Sequence, residues 1–256
     1  MALEWYNAYF HTFDMMTELQ EYTHIVDQEE ADKLSFHEFE QTYYARLQSS
    51  GENIAIENVA VEFEKDGPHG IPEFGAIIFV HDIKKPVASA ISSYGESKLS
   101  QFGIVNLVIV SYVKELRSQD GKALFEKSGP TKVQRANIDP NIKRFWTRFF
   151  PIETVQCNPL AHRLQPQHRL ITDEAEKERL RVELVKDLKG EERNKTLFDL
   201  LPRYVMTKTV SKWYGAYVGD VFEITRIFGG RQRYYRIVVP SELYDKEIKV
   251  KAKFKN

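Results

Sequence analysis

The sequence predicts an α+β fold in two domains, on three observations. Apolar residues recur at helical spacing near the N-terminus, short runs rich in Val, Ile and Phe follow, and after Cys157 the texture changes to a proline-punctuated stretch and a heavily charged helix. With 256 residues, 42% of them hydrophobic and 12% aromatic, the chain can bury a substantial core.

Trp5, Tyr9, Phe13, Met16 and Leu19 follow a helical period, so an amphipathic helix is expected over 3–21. A second helix is expected over 35–47. Its start is Ser35-Phe36-His37-Glu38, where the serine oxygen can accept an amide three residues on and the glutamate can reach back. The period then shortens, and 58–63, 75–81 and 103–111 read as strands bounded by Gly, Pro or charged turns. The last, "GIVNLVIVSY", is apolar almost throughout and belongs at the centre of a sheet covered on both faces, with helices over 93–100 and 120–125 as cover. A connecting helix is expected over 137–150, after a turn at Asp139-Pro140 and closing on Pro151.

These elements make a first domain of 1–152. A second, over 153–240, opens on the extended stretch and the helix "DEAEKERLRVELVKDL", capped by Thr172 or Asp173 with Gly190 just past its end. Thr207 is expected to cap a short helix that Gly215 ends, and Gly219-Asp220 to make a turn. Strands over 221–227 and 232–239 then form a hairpin across Phe228-Gly229-Gly230-Arg231. A basic tail, 241–256, places Lys249, Lys251, Lys253 and Lys255 at alternate positions, as in an edge strand with one charged face or a frayed end.

Charge is nearly balanced, 36 Lys plus Arg against 37 Asp plus Glu, so no overall field draws the chain to nucleic acid and any such contact needs a local patch. One cysteine cannot form an internal disulfide. No secretory leader pattern and no apolar run of about 18 residues is present, so the expectation is an intracellular, soluble protein with no membrane contact.

Three patterns carry possible chemistry. Cys157, His162 and His168 offer three metal-ligand types, but a structural zinc site takes four and a catalytic one needs a base and a cleft; the preferred reading is two hydrogen-bonded, partly buried histidines bracing the segment. Asp66 before the strand "AIIFV" and Asp82-Ile83-Lys84 after it resemble the layout of magnesium-dependent nucleases, although Asp-x-Lys before Lys85-Pro86 also reads as a solvated turn. Gly229-Gly230 lies between two strands and is a turn rather than a phosphate loop, and no nucleophile elbow occurs. In "FGGRQRYYRIVV", alternation sends Tyr234 and Arg236 to one face and Arg233 and Tyr235 to the other. Such a divided set fits a protein interface, where Tyr and Arg act as anchors, better than a base-stacking platform.

The second domain resembles the fifth subunit shared by the nuclear RNA polymerases of eukaryotes, whose small assembly domain also occurs as a separate polymerase subunit in archaea. The resemblance runs from His162, Leu164, Pro166 and His168 through "LITDEAEKERL", Leu201-Pro202-Arg203, Trp213-Tyr214-Gly215, Gly219, Ile224 to Arg226 and Gly230-Arg231, ending at Tyr235-Arg236-Ile237-Val238-Val239. In the first domain, "YTHIVDQEEADKLSFHEFEQTY" is similar to the family's linker between its first two helices. The chain departs from the family at Lys208-Thr209, where the family has Asp-Pro, and in a turn before Gly230 that is shorter. The family's Thr-Pro-Ser-Ala loop, which approaches downstream DNA, is not recognisable in "SYVKELRSQDGKA", around Lys114 and Arg117. The basic tail has no family counterpart. Such drift suits a paralogue or a viral copy.

The resemblance implies an N-terminal jaw domain with a mixed sheet flanked by helices and a small α+β C-terminal assembly domain. It implies a non-catalytic subunit without metal or cofactor, one copy in a hetero-oligomer, located in the nucleus or at a viral site of transcription. Its partners would be the largest polymerase subunit, other polymerase subunits and, through the jaw, downstream duplex DNA. Pro202, Arg203, Tyr214, Arg226, Arg231, Tyr235 and Arg236 would serve the partner contact, and His162, Pro166, His168, Gly215 and Gly219 the scaffold. The alternative is a magnesium-dependent, nuclease-fold DNA-binding protein.

Overall fold

The computed structural model describes residues 1–26, 29–49, 55–67, 70–113, 119, 124, 144–226 and 230–240. It is α+β, with helices and two mixed sheets in two compact units that meet in sequence between Pro159 and Leu160. The expected helix over 120–125, the turn at Asp139-Pro140, Lys114, Arg117, Phe228, Gly229 and the basic tail lie outside the described residues, apart from single helical residues at 119 and 124.

In the first unit, helix α1 (Ala2–Asp14) continues as a π-helical turn over Met15–Leu19 and buries Trp5, Ala8, Tyr9, Thr12 and Phe13. Strands β1 (Thr23–Val26) and β2 (Glu29–Glu30) follow. Helix α2 (Phe36–Phe39) opens on the expected capping box: the Ser35 amide donates to Glu38 Oε2 at 2.8 Å, and the Glu38 amide donates to Ser35 Oγ at 3.4 Å. A π-helical turn, Glu40–Tyr44, links it to α3 (Ala45–Ser49).

Strands β3 (Ala60–Asp66), β4 (Pro72–Val80), β5 (Ile104–Ser111) and β6 (Arg144–Pro151) complete a sheet ordered β2-β1-β3-β4-β5-β6. β3 runs antiparallel to β4, whereas β4, β5 and β6 are mutually parallel. Every residue of β5 is buried, as its apolar composition requires of a strand covered on both faces. One cover is α1: Trp5 meets Phe79 edge-on at 5.8 Å, and Phe13 meets Phe63 at 5.4 Å. The other is α4 (Lys85–Lys98), whose Tyr94 packs on Phe74. Glycine at two positions permits this close layering. A β-carbon on Gly75 would fall 2.5 Å from Met16 Cε and 2.9 Å from Tyr22 Cε1, and one on Gly95 would fall 2.9 Å from Phe145 Cδ2.

Two elements differ from expectation. The connecting helix over 137–150 is instead strand β6 from Arg144 onward, paired along its whole length with β5. Phe145, Trp146, Phe149 and Phe150 imitate a helical stripe, but aromatic residues and Thr147 suit a strand, and burial of Trp146, Thr147, Arg148, Phe149 and Phe150 removes the alternation that would have revealed it. The helix expected over 93–100 begins earlier, at Lys85. Pro86 stands in its first turn, where a missing amide hydrogen costs nothing.

The second unit contains β7 (Gln167–Ile171), α5 (Glu174–Val185), α6 (Leu197–Leu200), β8 (Arg203–Val205), α7 (Thr209–Trp213), β9 (Val221–Arg226) and β10 (Gln232–Val239). The sheet order is β7-β9-β10-β8, antiparallel except for the parallel β10–β8 pair. Asp173, rather than Thr172, caps α5 by accepting from the Ala175 and Glu176 amides. Ile171, Leu180, Leu201, Val221, Ile237 and Val239 form the core between α5 and the sheet. Met206, Val210, Ala216, Val218, Phe222, Ile224 and Val238 form a second core. The Thr207 cap is not made: α7 starts after Lys208 with no side-chain cap. Gly215 ends the helix as expected, with φ 61°.

Candidate protein interface

The segment from Pro159 into β7 is held by local bonds. The Leu164 amide donates to His162 Nδ1 at 3.2 Å, and the Gln165 amide donates to the His162 carbonyl at 2.8 Å. His162 is exposed, which corrects the expectation that both histidines are partly buried; its ring accepts within this turn. His168 is half-buried, pairs through Nδ1 with the Pro166 carbonyl at 2.7 Å and lies edge-on to Phe222 at 5.8 Å. Burial holds its imidazole below the usual pKa, with the Pro166 carbonyl opposing. Cys157 is exposed, and among the described residues no group of three His, Cys, Asp or Glu side chains is placed to hold a metal ion.

The acidic pattern in the first unit is likewise not assembled. Asp66 ends β3 opposite Pro72, at the start of β4, while Asp82 follows the end of β4. A strand of that length separates them by about 30 Å. Asp82 Oδ1 accepts from the Ile83 amide at 2.7 Å, and Lys84 precedes α4.

The hairpin of β9 and β10 presents two chemically different faces. Pairing places Arg226 opposite Gln232, Tyr234 opposite Ile224 and Arg236 opposite Phe222, so Arg226, Tyr234 and Arg236 share one face. The Arg226 Nε donates to the Tyr234 hydroxyl at 3.1 Å, and its guanidinium lies 4.9 Å from that ring's centroid. The Arg236 guanidinium lies 5.9 Å from the same centroid. Tyr204, opposite Val238 on β8, extends this face and packs on Phe222 at 5.1 Å. Burial raises the Tyr204 hydroxyl pKa, and the charge of Arg236 opposes that rise.

The other face is electrostatically matched. Arg169 on β7 bonds both Glu223 and Glu176, at 2.5 and 2.6 Å, and these two carboxylates raise its pKa. Arg233 Nε approaches Glu223 Oε1 at 3.1 Å. Tyr235 is half-buried against the core under α5. A cavity of about 450 Å³ opens beside this face, lined by Pro166, His168, Arg169, Tyr214, Glu223 and Arg231 among others.

Of the residues assigned to partner contact, Arg226 and Arg236 are therefore together, whereas Tyr235 and Arg231 lie on the Glu223 side. Pro202 is exposed, and its carbonyl accepts from the Ile237 amide; Arg203 begins β8. Tyr214 donates its hydroxyl proton to the His168 carbonyl at 2.6 Å and sets its ring edge-on to Phe222 at 5.4 Å, which ties the aromatic-Tyr-Gly motif to the His-Pro-His motif. Gly219, with φ 89°, donates to the Val238 carbonyl and turns the chain into β9. No family model and no curated protein matches the chain. Tyr234 and Tyr204, absent from the expected contact set, belong to the arginine face. The signal for Tyr234 was its even spacing from Arg236; that for Tyr204 was unreadable before β8 was known to pair with β10. Among the described residues, no helix is long and apolar enough to cross a membrane.

Proposed function

We propose that the chain is a non-catalytic subunit of a multisubunit DNA-directed RNA polymerase, docking through its second unit on the largest subunit, with its first unit contributing to the jaw around downstream DNA. The observation that carries this reading is the ordered motif set from His162 to Val239, most of which converges on one small sheet: the Tyr214–His168 bond, the turns at Gly215 and Gly219, and the hairpin bearing Arg226 and Arg236. The alternation of matched and unmatched arginines on that hairpin is in keeping with a docking element, because Tyr and Arg anchors dominate protein interfaces. The magnesium-nuclease alternative draws no support from Asp66 and Asp82, which stand at opposite ends of β4.

A nuclear location, or a viral site of transcription, follows from the same reading. Affinity capture of the tagged chain from its native source, with partners identified by mass, tests it. Co-purification of polymerase-sized subunits is the expected result; a complete transcription complex lacking the chain overturns it. Cleavage of a labelled duplex by the purified protein with Mg²⁺, lost in Asp82→Ala, would favour the nuclease instead.

A further inference from the structure

The arginines of strands β7, β9 and β10 are matched unequally. Arg169 and Arg233 are each met by Glu223, and Arg169 also by Glu176. Arg226 and Arg236, on the opposite face, meet the ring of Tyr234, and among the described residues neither has a carboxylate within ion-pair distance. Arg226 is exposed, while Tyr234 and Arg236 are half-buried. In water an unmatched guanidinium is satisfied by solvent, but on docking that solvent leaves, and the charge must find an acceptor or oppose binding.

We propose that this face receives a carboxylate-rich segment of the protein partner, with Arg226 and Arg236 as two forks spaced by Tyr234. This deepens the docking role assigned above and rests on it. Cation–π contact with Tyr234 and the Arg226–Tyr234 hydrogen bond restrain the side chains before the partner arrives, so less rotamer freedom is lost on pairing. Planar guanidinium groups match carboxylates in a two-pronged geometry, which a lysine at either position would not reproduce.

Protein carboxylates are favoured over nucleic-acid phosphates by two features. The Tyr234 ring is already crowded by both guanidinium groups, so it offers no free platform for a base. The chain carries a net charge of −1, and the same hairpin bears Glu223 on its reverse, so no overall field of the chain draws a phosphate backbone to it.

The test measures fluorescence anisotropy of the full chain with three labelled probes of equal length: a Glu/Tyr peptide, its Gln/Tyr counterpart and a single-stranded oligonucleotide. The wild type should prefer the Glu/Tyr peptide to both others. Arg226→Gln/Arg236→Gln should weaken that binding by about tenfold or more, and the corresponding double lysine variant should restore it only in part. Arg233→Gln, on the matched face, should change it far less. Equal binding by the double glutamine variant, or tighter binding of the oligonucleotide, overturns the proposal. Arg226 is exposed and Arg236 half-buried, and among the described residues neither is ion-paired, so at most a small change in the thermal midpoint of the double variant is expected, which separates lost recognition from lost folding. Native capture distinguishes the two levels of argument. If the double glutamine variant captures polymerase-sized subunits as fully as the wild type, the arginine clamp fails and the assembly role stands; if the wild type captures none, the assembly role itself fails.

Discussion

His24 lies between the rings of Phe13 and Phe63, at 5.0 and 5.3 Å, with Nδ1 paired to the Ala31 carbonyl at 2.9 Å and Nε2 buried with no hydrogen-bond partner among the described residues. Burial depresses its pKa, while the Ala31 and Asp32 backbone bonds oppose the shift. The folded protein therefore keeps this imidazole neutral where the unfolded chain would protonate it. A depressed folded pKa makes the unfolded state bind more protons, so the stabilisation present above about pH 6.5 is lost as pH falls. His11, His81 and His168 are shifted the same way by burial, so the informative quantity is a difference. The urea midpoint should drop between about pH 7 and 5 in the wild type, and drop less in His24→Phe; identical pH profiles would refute the assignment. The hydrogen bond from Tyr214 to the His168 carbonyl is another residue-scale device: it ties the end of α7 to the edge strand β7.

Among the elements, helix starts were legible where local chemistry sets them. The box at Ser35 and Glu38 forms as its spacing predicts, and Asp173 forms the cap of α5. A second box, Thr196 with Asp199, was missed although the same spacing announces it; the Thr196 amide donates to Asp199 Oδ2 at 2.9 Å, and the bond from the Thr196 hydroxyl, with that from the amide, lowers the carboxyl pKa. Asp173→Ala removes the acceptor of two amides at the start of α5 and should cost about 1 kcal/mol, read as a lower denaturation midpoint with an unchanged slope. No change would mean that solvent satisfies those amides equally well. Strand β6 is the opposite case, since its state depends on β5, far back in sequence, accepting it in parallel register.

At the scale of the whole molecule, each unit has its own sheet and core, so residues 160–240 should fold as an independent piece. A sigmoidal thermal transition by circular dichroism is expected from that fragment; a shallow, non-cooperative melt would show that its cores depend on the rest of the chain. The α+β class, the buried centre of the first sheet, the hairpin and the stops at Gly215 and Gly219 were determined by the sequence itself, because period, capping and glycine conformation act over a few neighbouring residues. Tertiary structure alone decided that 144–151 is a strand, that Tyr204 joins the arginine face, and that Asp66 and Asp82 stay apart. It also decided which arginines are neutralised. Arg169 meets Glu223 across strands distant in sequence, and no local pattern encodes a partner that only sheet pairing delivers.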